Sequence, residues 1–466
     1  KLDKENIPEF DDDIFINLSQ NYSNNSYVAG EETFLKNVKE LPAGFQLNID
    51  SNFQVKTNKW WITIENLDEI DQNNKETKNK FRELFTDACR LRMISDVGIA
   101  TSLSGGIDSS SIVATIDEIK KEKENINTNI KFPHNAYILD YINEKNSETK
   151  LASQVAKYRN LNQKLVSIRP SNFSSDELKK IIFYQEEVTG DDGLGPWQIY
   201  KKMNEDNVKV SIDGHGADEL LGGYSGYPRI ARKDTNIFTD FFYWLDLLKT
   251  HYAMNDEENN KNRLFKILAS KIKDILINRQ QKKDNNSDLN FFFSTGRKRQ
   301  LNEFDKISNL TNLNKSLYTD FHSRSLSLNL KKYDKFSMAH SIESRFPFLD
   351  YRLVKFCFSL PNKFKIKNGL TKKILRDVMR NKLPEKILNQ VKKKGFNPEI
   401  DYFNKEYGNF VSDTVSNNDF QNEPMWKGRN IKDYVHFNNA NYQKIFKYVQ
   451  IYYIKKTFKE FSINSN

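Results

Sequence analysis

Only two cysteines, Cys89 and Cys357, occur in 466 residues, far apart and in no CxxC pair. That excludes a disulfide framework and a cysteine-built zinc site, and it fits a reducing, cytoplasmic compartment. No run of 18 apolar residues exists, and the opening stretch KLDKENIPEF lacks an apolar signal core. A soluble chain with no membrane partner is therefore expected. No internal repeat with a period of 20–50 residues is visible, which sets aside solenoids and propellers.

What is present suffices for a real core. Hydrophobic residues make up 38% and aromatics 13%, so global disorder is not expected, and the length allows two or three ordinary domains. The Asn-rich stretches read as solvated loops. A net charge of +10 has two readings. Clustered Lys and Arg could serve a nucleic-acid partner through counterion release, or a Lys-rich surface could include a few cations facing a polyanion such as ATP. No aromatic–basic RNA-binding motif accompanies the charge, so the second reading is preferred.

Three regions emerge along the chain. Residues 1–66 contain LPAGFQLNID, a turn followed by a short strand, with a second strand near WWITI; the segment is too small to be stable alone. Residues 67–235 open with a helix whose apolar face carries Phe81, Leu84, Phe85, Ala88 and Cys89. Strand-like runs follow at 97–103, 136–139, 164–168 and 208–213, separated by helical stretches, one of them from Ser109 to about Lys121. That alternation predicts an α/β fold with a parallel sheet covered by helices on both faces. Residues 236–466 read as mainly helical.

Four clusters carry chemistry. In Leu103-Ser104-Gly105-Gly106-Ile107-Asp108-Ser109-Ser110, a β-run turns into a helix. Two glycines would let the backbone approach a phosphate, the helix start offers free N–H groups, the serines add hydroxyls, and Asp108 can hold Mg²⁺ against phosphate oxygens. The loop is neither GxxxxGK[ST] nor GxGxxG, so kinase-type and dinucleotide-type sites are not indicated. The second cluster is Asp213-Gly214-His215-Gly216-Ala217-Asp218-Glu219, followed by Gly222-Gly223-Tyr224. The third is SMAHSIESRFPFLD (337–350), containing Glu343 and Arg345; the fourth is Thr371-Lys372-Lys373-Ile374-Leu375-Arg376 with LPEKILNQVKKKGFNP (383–398).

SLSGGIDSS resembles the pyrophosphate loop of the ATP-pyrophosphatase (PP-loop) superfamily, and the four clusters in this order resemble the synthetase domain of glutamine-hydrolysing asparagine synthetases. The resemblance implies a PP-loop α/β domain, of the adenine nucleotide alpha hydrolase-like type, completed by a helical half. It implies ATP and Mg²⁺ as cofactors, with Leu103, Ser104, Gly105, Gly106, Asp108, Ser109, Ser110, Asp213, Gly214, Lys372 and Lys393 on ATP or pyrophosphate. It places Mg²⁺ on Asp108 and Asp218, and substrate near Gly216, Asp218, Glu219, Glu343 and Arg345. Glu343 and Arg345 have a second reading, as a pair with each other. Lys393 is the implied phosphate-neutralising lysine, within the run Lys392–Lys394. The implied partners are a small-molecule or peptide carboxylate and an amine, ammonia or one derived from glutamine; a homodimer is compatible. An internal amine would instead give ring closure, as in β-lactam synthetases and lasso-peptide cyclases. From other classes, a tRNA-modifying PP-loop enzyme would use the basic charge, and an inactive ATP-binding scaffold would lack turnover.

Three departures from the family pattern stand out. No cysteine precedes Cys89, and the first 66 residues are similar to the closing stretch of a glutaminase domain. His215 stands where the family often has Glu or Gln. It could be the base that activates an amine or could simply fill space beside the nucleotide. Gln390 replaces the usual Arg.

Overall fold

The computed structural model describes residues 9–15, 31–70, 73–124, 134–142, 148–188, 190, 193–255, 307, 309–392, 400–436 and 441–464. The first two strands, β1 (Phe45–Ile49) and β2 (Val55–Lys59), form a hairpin. Its register, Phe45 opposite Lys59, is set by the turn, where Asp50 Oδ1 accepts the N–H groups of Asn52 (2.8 Å) and Gln54 (2.9 Å). This corrects the strand expected near WWITI: Trp61 lies past β2, and Thr63–Asn66 forms a single 3₁₀ turn. Nearly every hairpin residue is exposed, so apolar content does not decide which residues pair here.

Helix α1 (Asn74–Arg92) begins at Asn73, whose side chain caps the N–H of Lys75, and buries Thr77, Phe81, Phe85, Ala88 and Cys89 on one stripe. Then β3 (Ile99–Ser102), α2 (Ile107–Glu124), β4 (Asn135–Tyr141), α3 (Thr149–Tyr158), β5 (Asn162–Ile168), α4 (Ser175–Gln185), α5 (Leu194–Glu205) and β6 (Val210–Ile212) alternate as expected. Together with β7 (Glu343–Arg345) they build a five-stranded, wholly parallel sheet of order β5-β4-β3-β6-β7. The chain steps outward from β3 to β4 and β5, then returns to place β6 on the other side. The carboxyl ends of β3 and β6 therefore flank the point where winding reverses, the usual crevice of such sheets.

Strand β7 was not expected, since its three polar residues lie in a stretch read as helical. It joins the sheet because Glu343 N donates to Lys209 O (2.8 Å) and Asp213 N to Arg345 O (2.9 Å). The second half of the chain thus completes the sheet of the first. Past β6 come the short α6 (Ala217–Leu221), then α7 (Ser325–Ala339), α8 (Tyr351–Ser359) and α9 (Lys373–Val378). At the start of the stretch expected to be mainly helical, Phe241–Asn255 forms a helix, and residues 256–306 lie outside the described residues.

One apolar core joins α1 and α2 to α6, α8 and α9, with Phe85 against Phe348 at 4.9 Å between ring centroids. A separate aromatic core holds α10 (Ile400–Ser416) against α11 (Tyr442–Asn464) through Phe403, Tyr407 and Phe446, and it includes Phe15 from the N-terminal side. Among the described residues, no helix is long and apolar enough to cross a membrane.

Candidate active site

The loop leaving β3 is shaped by its own serines. Ser109 Oγ accepts the N–H of Ser104 (3.2 Å) and lies 3.0 Å from Ser104 Oγ, which in turn accepts the N–H of Gly106 (3.3 Å). The two glycines have different tasks. Gly105 has φ +77°, and a side chain there would run into the backbone of Ala152 on α3. Its role is close helix packing. Gly106 meets only Ser104 Oγ and faces the cleft. Leu103 and Ser110 are buried beneath the loop and outside the cleft lining.

The loop leaving β6 lies directly against it: a Cβ on Gly214 would stand 3.0 Å from Ser109 N. Asp213 at its start accepts three bonds, from Ser102 N (3.2 Å), Ser211 Oγ (2.9 Å) and Tyr200 OH (2.9 Å). Its carboxylate ties β3, β6 and α5 together. Glu219 is likewise engaged, accepting from Tyr224 OH at 2.6 Å.

The two loops bring Asp108 and Asp218 onto one cation. Lys372 Nζ lies 2.6 Å from Asp108 Oδ2 and 2.7 Å from Asp218 Oδ1, with the lysine side chain 4% exposed. Gly223 makes the room, because any side chain there would overlap both Asp218 Oδ1 and Lys372 Cε. Behind them Arg376 donates to Thr371 O (2.7 Å) and Leu388 O (2.8 Å), and burial lowers its pKa to about 10, still fully cationic at neutral pH.

These groups line a cleft of about 290 Å³, close to the lower size of small-molecule pockets. Its far wall is one face of α7: Leu326, Asn329, Lys332 and Tyr333. His215 sits between the walls, its ring 4.0 Å from that of Tyr333 and 5.4 Å from that of Phe346. Of the residues expected in the site, Ser104, Gly106, Asp108, Ser109, Asp213, Gly214, His215, Gly216, Asp218, Glu219 and Lys372 line this cleft.

Glu343 and Arg345 do not. Their side chains pair with each other, Arg345 Nε to Glu343 Oε1 at 2.9 Å. The guanidinium also donates to Arg92 O (2.8 Å) and Ile94 O (2.7 Å), closing the carboxyl end of α1. The pair also lines a separate pocket with Leu91, Arg92, Ile94, Phe346 and Leu349. Lys393 lies outside the described residues, whereas Lys392 lines the cleft. Lys332, Asn329, Tyr333 and Arg376 were not assigned from the sequence. Arg376 belongs to the fourth sequence cluster, but its place in the cleft follows only from the docking of α9.

Two carboxylates on one cation, beside a turn that presents N–H and hydroxyl groups, fit Mg²⁺. That ion takes one or two protein carboxylates and completes its shell with phosphate oxygens and water. Among the described residues no cluster of three or more His, Cys, Asp or Glu could hold a metal by itself.

The family model for asparagine synthase matches residues 80–450. The chain belongs to that family. The segment it covers contains every residue of the cleft. Asparagine synthetase [glutamine-hydrolyzing] 1 of Bacillus subtilis is 27% identical over 81% of this chain and 58% of its own length. Amidase chry2 of Gibberella zeae is 21% identical over 80% of this chain and 60% of its own. The chain thus spans somewhat over half the length of these curated relatives. Among solved structures, NMN synthetase from Francisella tularensis aligns with 33% of this chain and 60% of its own, at 18% identity and a TM-score of 0.20, too slight a likeness to carry an argument.

Proposed function

We propose that the chain is an ATP-dependent carbon–nitrogen ligase that adenylates a substrate carboxylate, releases pyrophosphate and passes the acyl group to an amine. The observation that carries this reading is the convergence of Asp108 and Asp218 on one cation at the mouth of the loop 104–109. Membership of the asparagine synthase family supports it.

In this reading, Ser104, Gly106 and Ser109 cradle the leaving pyrophosphate, while Asp108 and Asp218 hold the metal. Bound Mg²⁺ would neutralise phosphate charge as the leaving group departs. Lys372, Arg376 and Lys392 supply further positive charge around the phosphates. The acyl substrate faces α7, and His215, between the walls, takes the proton from the incoming amine. The cleft keeps water from the activated acyl group. Aspartate is the first carboxylate to test, given the asparagine synthetases among the relatives, and ammonia, free or derived from glutamine, the first amine.

Pyrophosphate release from Mg-ATP, measured with a panel of carboxylates with and without ammonium, tests the reading. Release that depends on one carboxylate and disappears in Asp108→Ala is expected, and the product mass tells amide transfer from ring closure. No release with any carboxylate, together with no ATP binding, would leave an inactive scaffold.

A further inference from the structure

Two cations stand behind the carboxylate pair, and they are held in different ways. Arg376 is fixed by backbone carbonyls, with Nε on Thr371 O and Nη1 on both Leu388 O (2.8 Å) and Ile387 O (3.3 Å). Its charge stays in place whatever enters the cleft. Lys372 has the opposite arrangement. Its main chain is clamped at φ +54°, the N–H donating to Leu221 O (3.2 Å) and the carbonyl accepting from Arg376 N (3.1 Å). Its ammonium, however, bonds to Asp108 and Asp218 and, among the described residues, to no carbonyl. The root of the side chain is rigid, and the charged tip is held only by the carboxylates that a metal would need.

We infer that Lys372 is an exchangeable counter-ion. It holds Asp108 and Asp218 together, yields them to a divalent cation arriving with nucleotide, and swings its own charge onto the phosphates. This rests on the reading of the cleft as a Mg-ATP site. The charge arithmetic supports the exchange. Counting the fixed Arg376 behind them, the two carboxylates sum to 0 with the Lys372 ammonium, to −1 without it, and to +1 with a divalent cation in its place, an excess that phosphate would offset. Burial sharpens these differences, because an unbalanced buried charge is costly. Lys372 thereby keeps the carboxylates paired while opposing any metal that comes without phosphate. A metal bound to ATP meets less opposition, since the phosphates offer the displaced ammonium a new partner. The site is selective for the metal–nucleotide complex over the bare metal. Gly223 is part of the device, since a side chain there would occupy the space of both Lys372 Cε and Asp218.

The test is Mn²⁺ binding to the full chain, followed by electron paramagnetic resonance without nucleotide and again with ATP. The native chain is expected to bind bare Mn²⁺ weakly and Mn²⁺–ATP well. Lys372→Met should bind bare Mn²⁺ at least tenfold more tightly and Mn²⁺–ATP more weakly. Lys372→Arg, which keeps the charge, should stay with the native chain for the bare metal. Asp218→Asn should abolish the gain when added to Lys372→Met. If Lys372→Met, folded by circular dichroism, binds bare Mn²⁺ no better than the native chain while Mn²⁺–ATP still binds, the exchange is wrong and the nucleotide site stands. If the native chain binds no Mn²⁺–ATP at all, the nucleotide reading falls, and the exchange with it.

Discussion

The two walls of the cleft are built on different principles. One wall is two loops at the ends of β3 and β6, where backbone N–H groups, serine hydroxyls and glycines lie within hydrogen-bond distance of one another. The other is a helix face, with Leu326, Asn329, Lys332 and Tyr333 reaching in from α7 at helical spacing. The first wall works through main-chain geometry, which tolerates few substitutions and suits an invariant ligand such as a triphosphate. The second works through exchangeable side chains on a rigid rod, which suits a ligand that differs from one enzyme to the next. On the function proposed above, nucleotide chemistry and acyl choice would then vary separately within one cleft.

The largest expected effect lies on the loop wall. Asp108→Ala removes one of the two carboxylates meeting the cation, and pyrophosphate release should fall about a thousandfold, comparable to the loss of a principal electrostatic group at other active sites. The glycine beside the pair should be nearly as sensitive. Gly223→Ala places a methyl group on Asp218 and Lys372, and overpacking of this kind should cost about 3 kcal/mol in denaturant unfolding. A variant of native stability and native ATP affinity would show that the wall is softer than its geometry implies.

On the helix wall a different signature is expected. Lys332 is 5% exposed and lines the cleft from α7. Lys332→Met should raise KM for the carboxylate substrate about tenfold while leaving ATP affinity within twofold, the pattern of lost substrate binding remote from the phosphates. Equal damage to both ligands would break the division into two walls.

The same division explains what could be read before the fold was known. The loop wall was legible because glycines mark backbone that a side chain would obstruct, and because strand, turn and helix follow one another without interruption from Ile99 to Glu124. Even there, the task of Gly105, packing against Ala152 of α3, depends on a contact made 47 residues away and was not visible. The sheet's first four strands were found from apolar runs. β7 was missed because Glu343, Ser344 and Arg345 carry no strand-like pattern and pair only by virtue of their neighbours. The helix wall was illegible for a related reason. An inward Lys332 and an outward lysine look the same in sequence until packing assigns the faces. Glu343 and Arg345 show that a motif does not give position: they stand apart from the main cleft, paired with each other at the end of α1 and beside a second pocket.

Another buried lysine lies outside both walls. Lys365 is 0% exposed, and its ammonium meets the side-chain oxygen of Asn314 rather than a carboxylate. Burial lowers its pKa from 10.5 to about 7. The unfolded chain therefore holds this proton up to about pH 10.5 while the folded chain begins to release it near 7, so the unfolded state binds more protons across that interval and stability rises with pH. Lys365→Met carries no such charge, so it should be more stable than the native chain at pH 7, by about 1 kcal/mol once the lost bond to Asn314 is offset. That advantage should shrink steadily and vanish near pH 10 in urea unfolding measured across the range. The lysines of the cleft should behave otherwise, because Lys372 is balanced by two carboxylates and its removal leaves them facing each other. If Lys365→Met is destabilising at every pH, the amide of Asn314 holds the ammonium as well as a carboxylate would, and pairing with acids is not what sets Lys372 apart.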